Sequence, residues 1–491
     1  MRQPHNCHIS FKLGRGLGNG VFALIRNSIL YFIVRVGNGV FAIATLAVFT
    51  RLLSPEEYGV YALGMAVATI TSGVLFQWLN VAISRFYPPH IDDPSKVMRV
   101  VSFGFWVAMA VAASIFIGLF PFLGVFGVES ITGIVLLLIT IALGLYTLAL
   151  QVANAEGRPI LYGQLSWVKG GGTLLAGFIF IHYGLGERGA LLGYLAGLML
   201  AVIAFAPVLL FRLKLGSMDK RLAGNMFRYG LPLAFNSLAI ATVDVADRFM
   251  IGFFLGVAQV APYAVAYDLV QQSVGPMMNV LFLAAFPLIV QAFDSAQDEP
   301  THNRLHALGS NLLGLGLPVT AAVGFFAADI SEIILGNDYR QDAITIMPWL
   351  AAAIFIGTFK GFYLDVVFQL RNATKYQGYT AILMVAINVI LNLILLPIYG
   401  AVAAAWSTLA AFMAGALSSW FLGRSLFTLP CLWKDFLRSA GATATMVVVL
   451  HLLPSSSGTI WLSFKISLAI ITYAVFAWAL DVAGFRRLFK V

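Results

Sequence analysis

Charge is scarce in this sequence. Asp, Glu, Lys and Arg make up 10% of its 491 residues, where a soluble globular domain carries about 25%. A chain so poor in charge cannot cover a water-facing surface. That excludes a soluble enzyme, and it excludes a nucleic-acid-binding module despite the formal charge of +9. Cysteine is nearly absent too. Cys7 and Cys431 both fall in segments expected in the cytoplasm, so no disulfide is expected. There is no glycine-rich phosphate loop ending in Lys-Ser or Lys-Thr, and hence no sign of an ATP-hydrolysing domain. His5, Cys7 and His8 have no further ligand cluster to complete a metal site, and a mobile tail is the simpler reading. The first twenty residues lack an apolar core followed by a small-residue cleavage site, so no removable leader is expected. No Ser-His-Asp or paired-carboxylate set lies in a water-facing domain, because the longest external loop, Ala328 to Arg340, is too short to fold alone. Neither catalysis nor a cofactor is expected.

Apolar residues fill the space that charge leaves, at 60% of the chain. They come in continuous runs of about 20 residues, each long enough to cross a hydrocarbon core of ~30 Å as a helix. Continuous rather than alternating runs exclude a barrel and leave helices as the spanning element. Spans are expected near 28–50, 58–82, 99–121, 130–153, 161–182, 188–211, 229–254, 260–290, 305–327, 342–368, 376–397, 401–423, 438–454 and 459–481. With the N-terminus inside, 22 of the 30 basic residues fall on the inner side and only Arg51, Arg188 and Arg340 on the outer. One missed helix would invert every later loop and destroy that bias, so the charge pattern supports both the number of helices and their direction.

The basic stretch from Arg212 to Arg228 divides two sets of six helices. Leu53, Tyr61 and Ala62 after the first helix match Leu255, Tyr263 and Ala264 after the seventh at one offset. Tyr183-Gly184 between helices 5 and 6 matches Tyr399-Gly400 between helices 11 and 12. Because six is even, the second copy crosses the membrane in the same direction as the first, the parallel-repeat arrangement of one transporter class. The expected fold is therefore all-α, with about fourteen transmembrane helices. A cytoplasmic segment 1–27 precedes a six-helix lobe over 28–215 and another over 216–424 around a central cavity. Helices 13 and 14 and a basic tail occupy 425–491.

Several stretches resemble the polysaccharide-transporter branch, the Wzx-like flippases, of the multidrug/oligosaccharidyl-lipid/polysaccharide exporter superfamily. They are TRLLSPEEYGVYAL at 50–63, ISRFYP at 83–88, RYGLPLAFNSLA at 228–239, DRFMIGFFLGVAQVAPYAVA at 247–266, AFP at 285–287 and INVILNLILLPIYGAVAAAWSTL at 387–409. The similarity runs over roughly 28–424. It implies two helical bundles in a V and a role in flipping undecaprenyl-diphosphate-linked oligosaccharide between leaflets. The partners it implies are that lipid-linked oligosaccharide, membrane lipids, and the polymerase and export machinery; no nucleic acid is involved.

Seven ionisable residues fall well inside expected spans: Arg35, Lys169, Asp244, Asp247, Arg248, Asp268 and Lys360. Exposing all of them to lipid would cost on the order of 20 kcal/mol, so they must face a wet cavity or one another. Arg35, Arg248, Lys360 and Lys169 are candidates for anion contact in the cavity, since Arg in particular binds phosphate oxygens through paired hydrogen bonds. Asp244, Asp247 and Asp268 are candidates for ion coupling or gating. Plainer roles compete. Arg35 can snorkel to headgroups. Asp244 and Arg248 can pair at i,i+4, leaving Asp247 in need of a partner. Asp268, followed by Gln271 and Gln272, can bind H+ or Na+ or pair with a basic residue of the facing lobe. Lys360 faces either the cavity or Asp365. Gly170, Gly171 and Gly172 after Lys169 suit close helix packing, and Asn388 and Asn392 suit interhelical hydrogen bonds. Tyr58, Tyr61 and Trp78 read as interfacial or packing aromatics, and Glu56 and Glu57 as helix-start carboxylates. The reading these features favour is a flippase working by alternating access. Its rivals are a drug, cation or metabolite antiporter of the same superfamily, a lipid II flippase, and a membrane-embedded polymerase or ligase.

Overall fold

A computed structural model describes residues 17–91, 93–123, 130–205, 219–295, 297–371, 373–454 and 458–489. The segment holding Cys7 and the side chain of Asp244 lie outside the described residues. Among those described, the chain is helical and forms no strand. The long helices are α1 (Leu17–Leu52), α2 (Pro55–Phe86), α3 (Ser95–Leu123), α4 (Ser130–Ala155), α5 (Pro159–Phe180), α6 (Gly186–Phe205) and α7 (Lys220–Leu255). They continue as α8 (Val257–Asp294), α9 (Asp298–Phe325), α10 (Asn337–Phe359), α11 (Lys375–Tyr399), α12 (Val402–Gly423), α13 (Trp433–His451) and α14 (Thr459–Ala479). Each expected span falls on one of them. Among the described residues eleven helical stretches are long and apolar enough to cross a membrane, and one, Pro159–Phe205, holds both α5 and α6. The protein is a multi-pass membrane protein. Lys434, Asp435 and Arg438 near its start make α13 the more polar of the two C-terminal helices.

Local chemistry sets the turns. Ser54 caps α2: its hydroxyl accepts from the Glu57 N–H at 3.3 Å, while the Glu57 carboxylate accepts from the Ser54 N–H at 2.8 Å. Pro55, at the first helical position, loses no hydrogen bond there. Glu57 thus has the helix-start role its position suggests. The two Tyr-Gly pairs have a shared cause as well. Gly184 ends the α5 hairpin at φ 83° and Gly400 the α11 hairpin at φ 71°, left-handed conformations that a Cβ disfavours.

Packing repeats with the sequence. In the first lobe α1 packs on α5, α2 on α3 and α4, and α6 on α4 and α5. Six helices later α7 packs on α11, α8 on α9 and α10, and α12 on α10 and α11. α13 packs on α9 and α14. It is fixed there by Asp435, which accepts from Ser310 Oγ at 3.0 Å and lies 3.1 Å from His306 Nε2. α14 is held by Lys465, whose ammonium lies 2.7 and 2.8 Å from the two carboxylate oxygens of Asp329 in the short helix Ala327–Ile334.

Between the lobes, α2 lies along both α7 and α8, while α1 meets α8 over a shorter stretch. Two glycines let backbones touch at either end of α2. A Cβ on Gly59 would strike the Val257 carbonyl, and one on Gly230 the Trp78 carbonyl.

Candidate functional site: the cavity between the lobes

The lobes enclose a cavity of about 530 Å³ lined by α1, α2, α4 to α8. At the α1–α2 end it is closed by contacts between lobes. Tyr339 O–H donates to the Leu53 carbonyl at 2.8 Å, Gly336 N–H to Thr50 Oγ1 at 3.2 Å, and Arg51 Nη2 to the Ile333 carbonyl at 2.5 Å. Toward the other end, Arg35 of α1 donates to Asn279 Oδ1 of α8, bridging the seam where those helices meet. Trp78 and Phe86 of α2 stack edge-on against Phe227 and Tyr229 of α7. These contacts bound a partly open space in the middle of the bundle.

Its walls are largely apolar, with polar and aromatic groups set into both. On the first-lobe side stand Lys169, Tyr58, Tyr61, Tyr146 and Tyr194, with the Lys169 ammonium 4.3 Å from the centroid of the Tyr194 ring. Cation–ring attraction and the cavity's polarity let a lysine sit at membrane depth. The glycines after it pack as expected: Gly170 accepts the Phe41 ring, and Gly172 lies against Gly197 of α6. Tyr58 and Tyr61 pack as expected, edge-on to each other and to Tyr339 and Phe49, and they border the cavity as well. Trp78 packs too, against Phe227.

On the second-lobe side Arg248 Nη2 meets Asp268 Oδ1 at 2.5 Å. Arg248 is largely buried, with its side chain 12% exposed, whereas that of Asp268 is 43% exposed, so the carboxylate is the face the pair presents. Asp268 does not pair with the facing lobe. Its partner comes from the preceding helix, because the chain reverses at Gly256 and brings α7 and α8 side by side. Arg248 and Lys169 line the cavity, as anion-contact candidates should. Arg35 stands at the seam.

Two expectations change. Lys360 is not on the cavity wall. It is buried inside the second lobe, its ammonium 2.7 Å from Asp365 Oδ2, and Ser419 Oγ donates to Asp365 Oδ1 at 2.7 Å. The cause is a π-turn over Lys360–Leu364, whose i→i+5 bonding brings residues five apart into register. Asp247 is also absent from the cavity wall. It is fully buried and finds its partners on three other helices. Asn388 and Asn392 amides donate to Oδ1 at 2.9 and 2.6 Å, Thr408 Oγ1 to Oδ2 at 2.5 Å, and Tyr263 O–H to Oδ2 as well. The two asparagines thus have the interhelical role expected of them, around a carboxylate with no basic partner in that set. The buried carboxylate is thus the hub of four donors, two amide nitrogens and two hydroxyls, with Asn392 Oδ1 left without a partner beside it. Among the described residues no group of three His, Cys, Asp or Glu could hold a metal.

The architecture has known counterparts. A lipid II flippase, MurJ, in its inward closed conformation superposes with TM-score 0.73 at 16% identity, covering 94% of this chain and 100% of its own. An inward-facing multidrug resistance MATE transporter of the MOP superfamily gives 0.64 at 14%, covering 80% and 97%. A MOP superfamily transporter from Pyrococcus furiosus, with a binding pocket of reverse polarity, gives 0.57 at 14%, covering 82% and 95%. At these identities the likeness is one of fold, and the fold is that of MOP-superfamily transporters. Among curated proteins none matches the sequence. A family model of polysaccharide biosynthesis proteins does, over residues 48–344, from the end of α1 into α10. That is more than half of the chain, and it runs through both cavity walls: this protein belongs to that polysaccharide biosynthesis family.

Proposed function

We propose that the protein is a flippase. It would move undecaprenyl-diphosphate-linked oligosaccharide repeat units across the bacterial inner membrane, for exopolysaccharide, O-antigen or capsule assembly. The observation that carries this reading is a charged, tyrosine-bearing cavity between two similarly packed lobes in a chain of the polysaccharide biosynthesis family. Headgroup and sugars occupy the cavity, the lipid tail stays in the bilayer, and the lobes (28–215 and 216–424) rock to expose the cavity to each side in turn. Both termini lie in the cytoplasm, as the Lys and Arg distribution requires. Arg35 at the seam meets the diphosphate as it enters, and Arg248 reaches an anion after shedding Asp268. Asp247 and Asp268, with Asp244, couple or gate the cycle, driven by an ion gradient, the membrane potential or removal of product. Polymerase and export machinery act on what is delivered.

A second reading, lipid II flipping, is favoured by the likeness to MurJ over 94% of this chain. Deleting the gene separates the two. Loss of surface polymer with intact repeat units held on the cytoplasmic leaflet supports the first reading, and lysis with trapped lipid II supports the second. Outward-facing single repeat units would mean a polymerase and overturn both. Uptake of a cationic dye into inverted vesicles, dependent on the protein, would instead indicate a drug antiporter.

A further inference from the structure

The two cavity walls differ in the charge they present, and under the flippase reading that difference selects the glycan. On the second-lobe wall the cation is spent: Arg248 is matched by Asp268 at 2.5 Å, and the carboxylate is the exposed partner. On the first-lobe wall Lys169 rests on the Tyr194 ring and has no carboxylate partner among the described residues. Two further polar atoms of that wall, Asn38 Oδ1 and Thr173 Oγ1, are buried without a hydrogen-bond partner. Thr173 is one turn from Lys169 on α5, so the ammonium and the hydroxyl share a helix face. The ammonium and the aromatic rings form a surface on which a sugar ring can stack and hydrogen-bond, with the unmet hydroxyl and amide oxygen buried just behind it.

The lipid diphosphate is not the natural partner for this lysine. It is tied to a tail that stays in the bilayer, which keeps it at the seam, where Arg35 bonds Asn279 across α1 and α8. Lys169 stands on the α5–α6 wall instead. The exposed Asp268 carboxylate repels an anionic substituent from the opposite wall. We infer that Lys169 is a specificity determinant that selects glycans bearing a carboxylate sugar such as a uronate, with Tyr194 stacking on the same ring.

The test uses the full-length protein in liposomes with two polyprenyl-diphosphate disaccharides of equal size, one ending in a hexuronate and one in the matching hexose. Arrival of each at the outer leaflet is timed by an impermeant sugar oxidant. Wild type should favour the uronate. Lys169→Gln should lower the uronate-to-hexose rate ratio roughly tenfold, the scale of one charge-assisted hydrogen bond. Lys169→Arg should preserve the ratio. Lys169→Met serves as the second neutral variant if the glutamine protein does not fold. A wild type without preference, or a ratio unchanged by the neutral variants however far both rates fall, overturns the inference. Movement of neither glycan by wild type would sink the flippase reading itself, a different and recognisable result.

Discussion

The first lobe turns its polar residues outward, toward the cavity: Lys169, Tyr146 and Tyr194 face the space that a substrate would fill. The second lobe, packed in the same order of helices, folds three of its intramembrane charges into its own interior. Asp247 is enclosed by Tyr263, Asn388, Asn392 and Thr408, and Lys360 by Asp365, while the Arg248–Asp268 pair stands at the cavity. One scheme of helix contacts therefore supports two uses of buried polarity, one to meet a guest and one to hold a particular internal arrangement. A charge that faces water at a cavity wall loses little of its solvation. A charge in a lobe interior must be matched in place.

That contrast can be broken most forcefully at the buried ion pair. Asp365→Ala strands the Lys360 ammonium and should cost about 3–5 kcal/mol of stability. The double change Lys360→Met, Asp365→Leu should recover most of the loss. Lys169→Met in the first lobe should cost far less, and equal losses in unfolding titrations of the two lysine environments would erase the distinction. Next is Asp247→Ala, which leaves four donors without their acceptor and should cost about 1–3 kcal/mol. A melting point in detergent unchanged from wild type would show that the hub does not hold the second lobe together. The glycine turns test the likeness of the lobes, not their difference. Gly184→Ala and Gly400→Ala each force a Cβ into a left-handed turn and should cost a similar amount, about 1–2 kcal/mol. A loss confined to one lobe would argue against a common turn. Smallest is Tyr339→Phe, which removes one hydrogen bond, about 1 kcal/mol, from the closed α1–α2 end. Maleimide labelling of a cysteine placed at Leu53 should then rise roughly fivefold in that background, and no change would mean that this contact does not hold the end shut.

Much of the architecture was legible in the sequence because each helix announces itself through a local apolar run. The repeat was legible because left-handed turns demand glycine wherever they recur, as at Gly184 and Gly400. The site was only partly legible. The surplus carboxylate at 247 and the paired asparagines of α11 were visible as groups in need of partners, but their meeting depends on how α7 and α11 rotate against each other, which no local pattern records. Hairpin arithmetic does carry a signal for one pair: Arg248 lies eight residues before Gly256 and Asp268 twelve after it, so the reversal places them at comparable depth. Lys360 and Asp365 stayed ambiguous because an ordinary helix points residues five apart in different directions, and only the π-turn aligns them. Lys465 is a further charge within the last expected span, and its partner Asp329 sits 136 residues earlier, beyond any local pattern. The hydrogen bond of Tyr339 to Leu53 joins residues 286 apart and has no sequence signature at all.

The tethers of the last two helices have a kinematic consequence. Asp435 binds α13 to α9, and Lys465 binds α14 to the helix that follows α9, so both helices are fastened to the second half of the molecule. On the rocking mechanism proposed above, they would ride as ballast on one arm. A spin label on α14 paired with one on α9 should hold a constant separation through the transport cycle, while its distance to α3 should track the full swing.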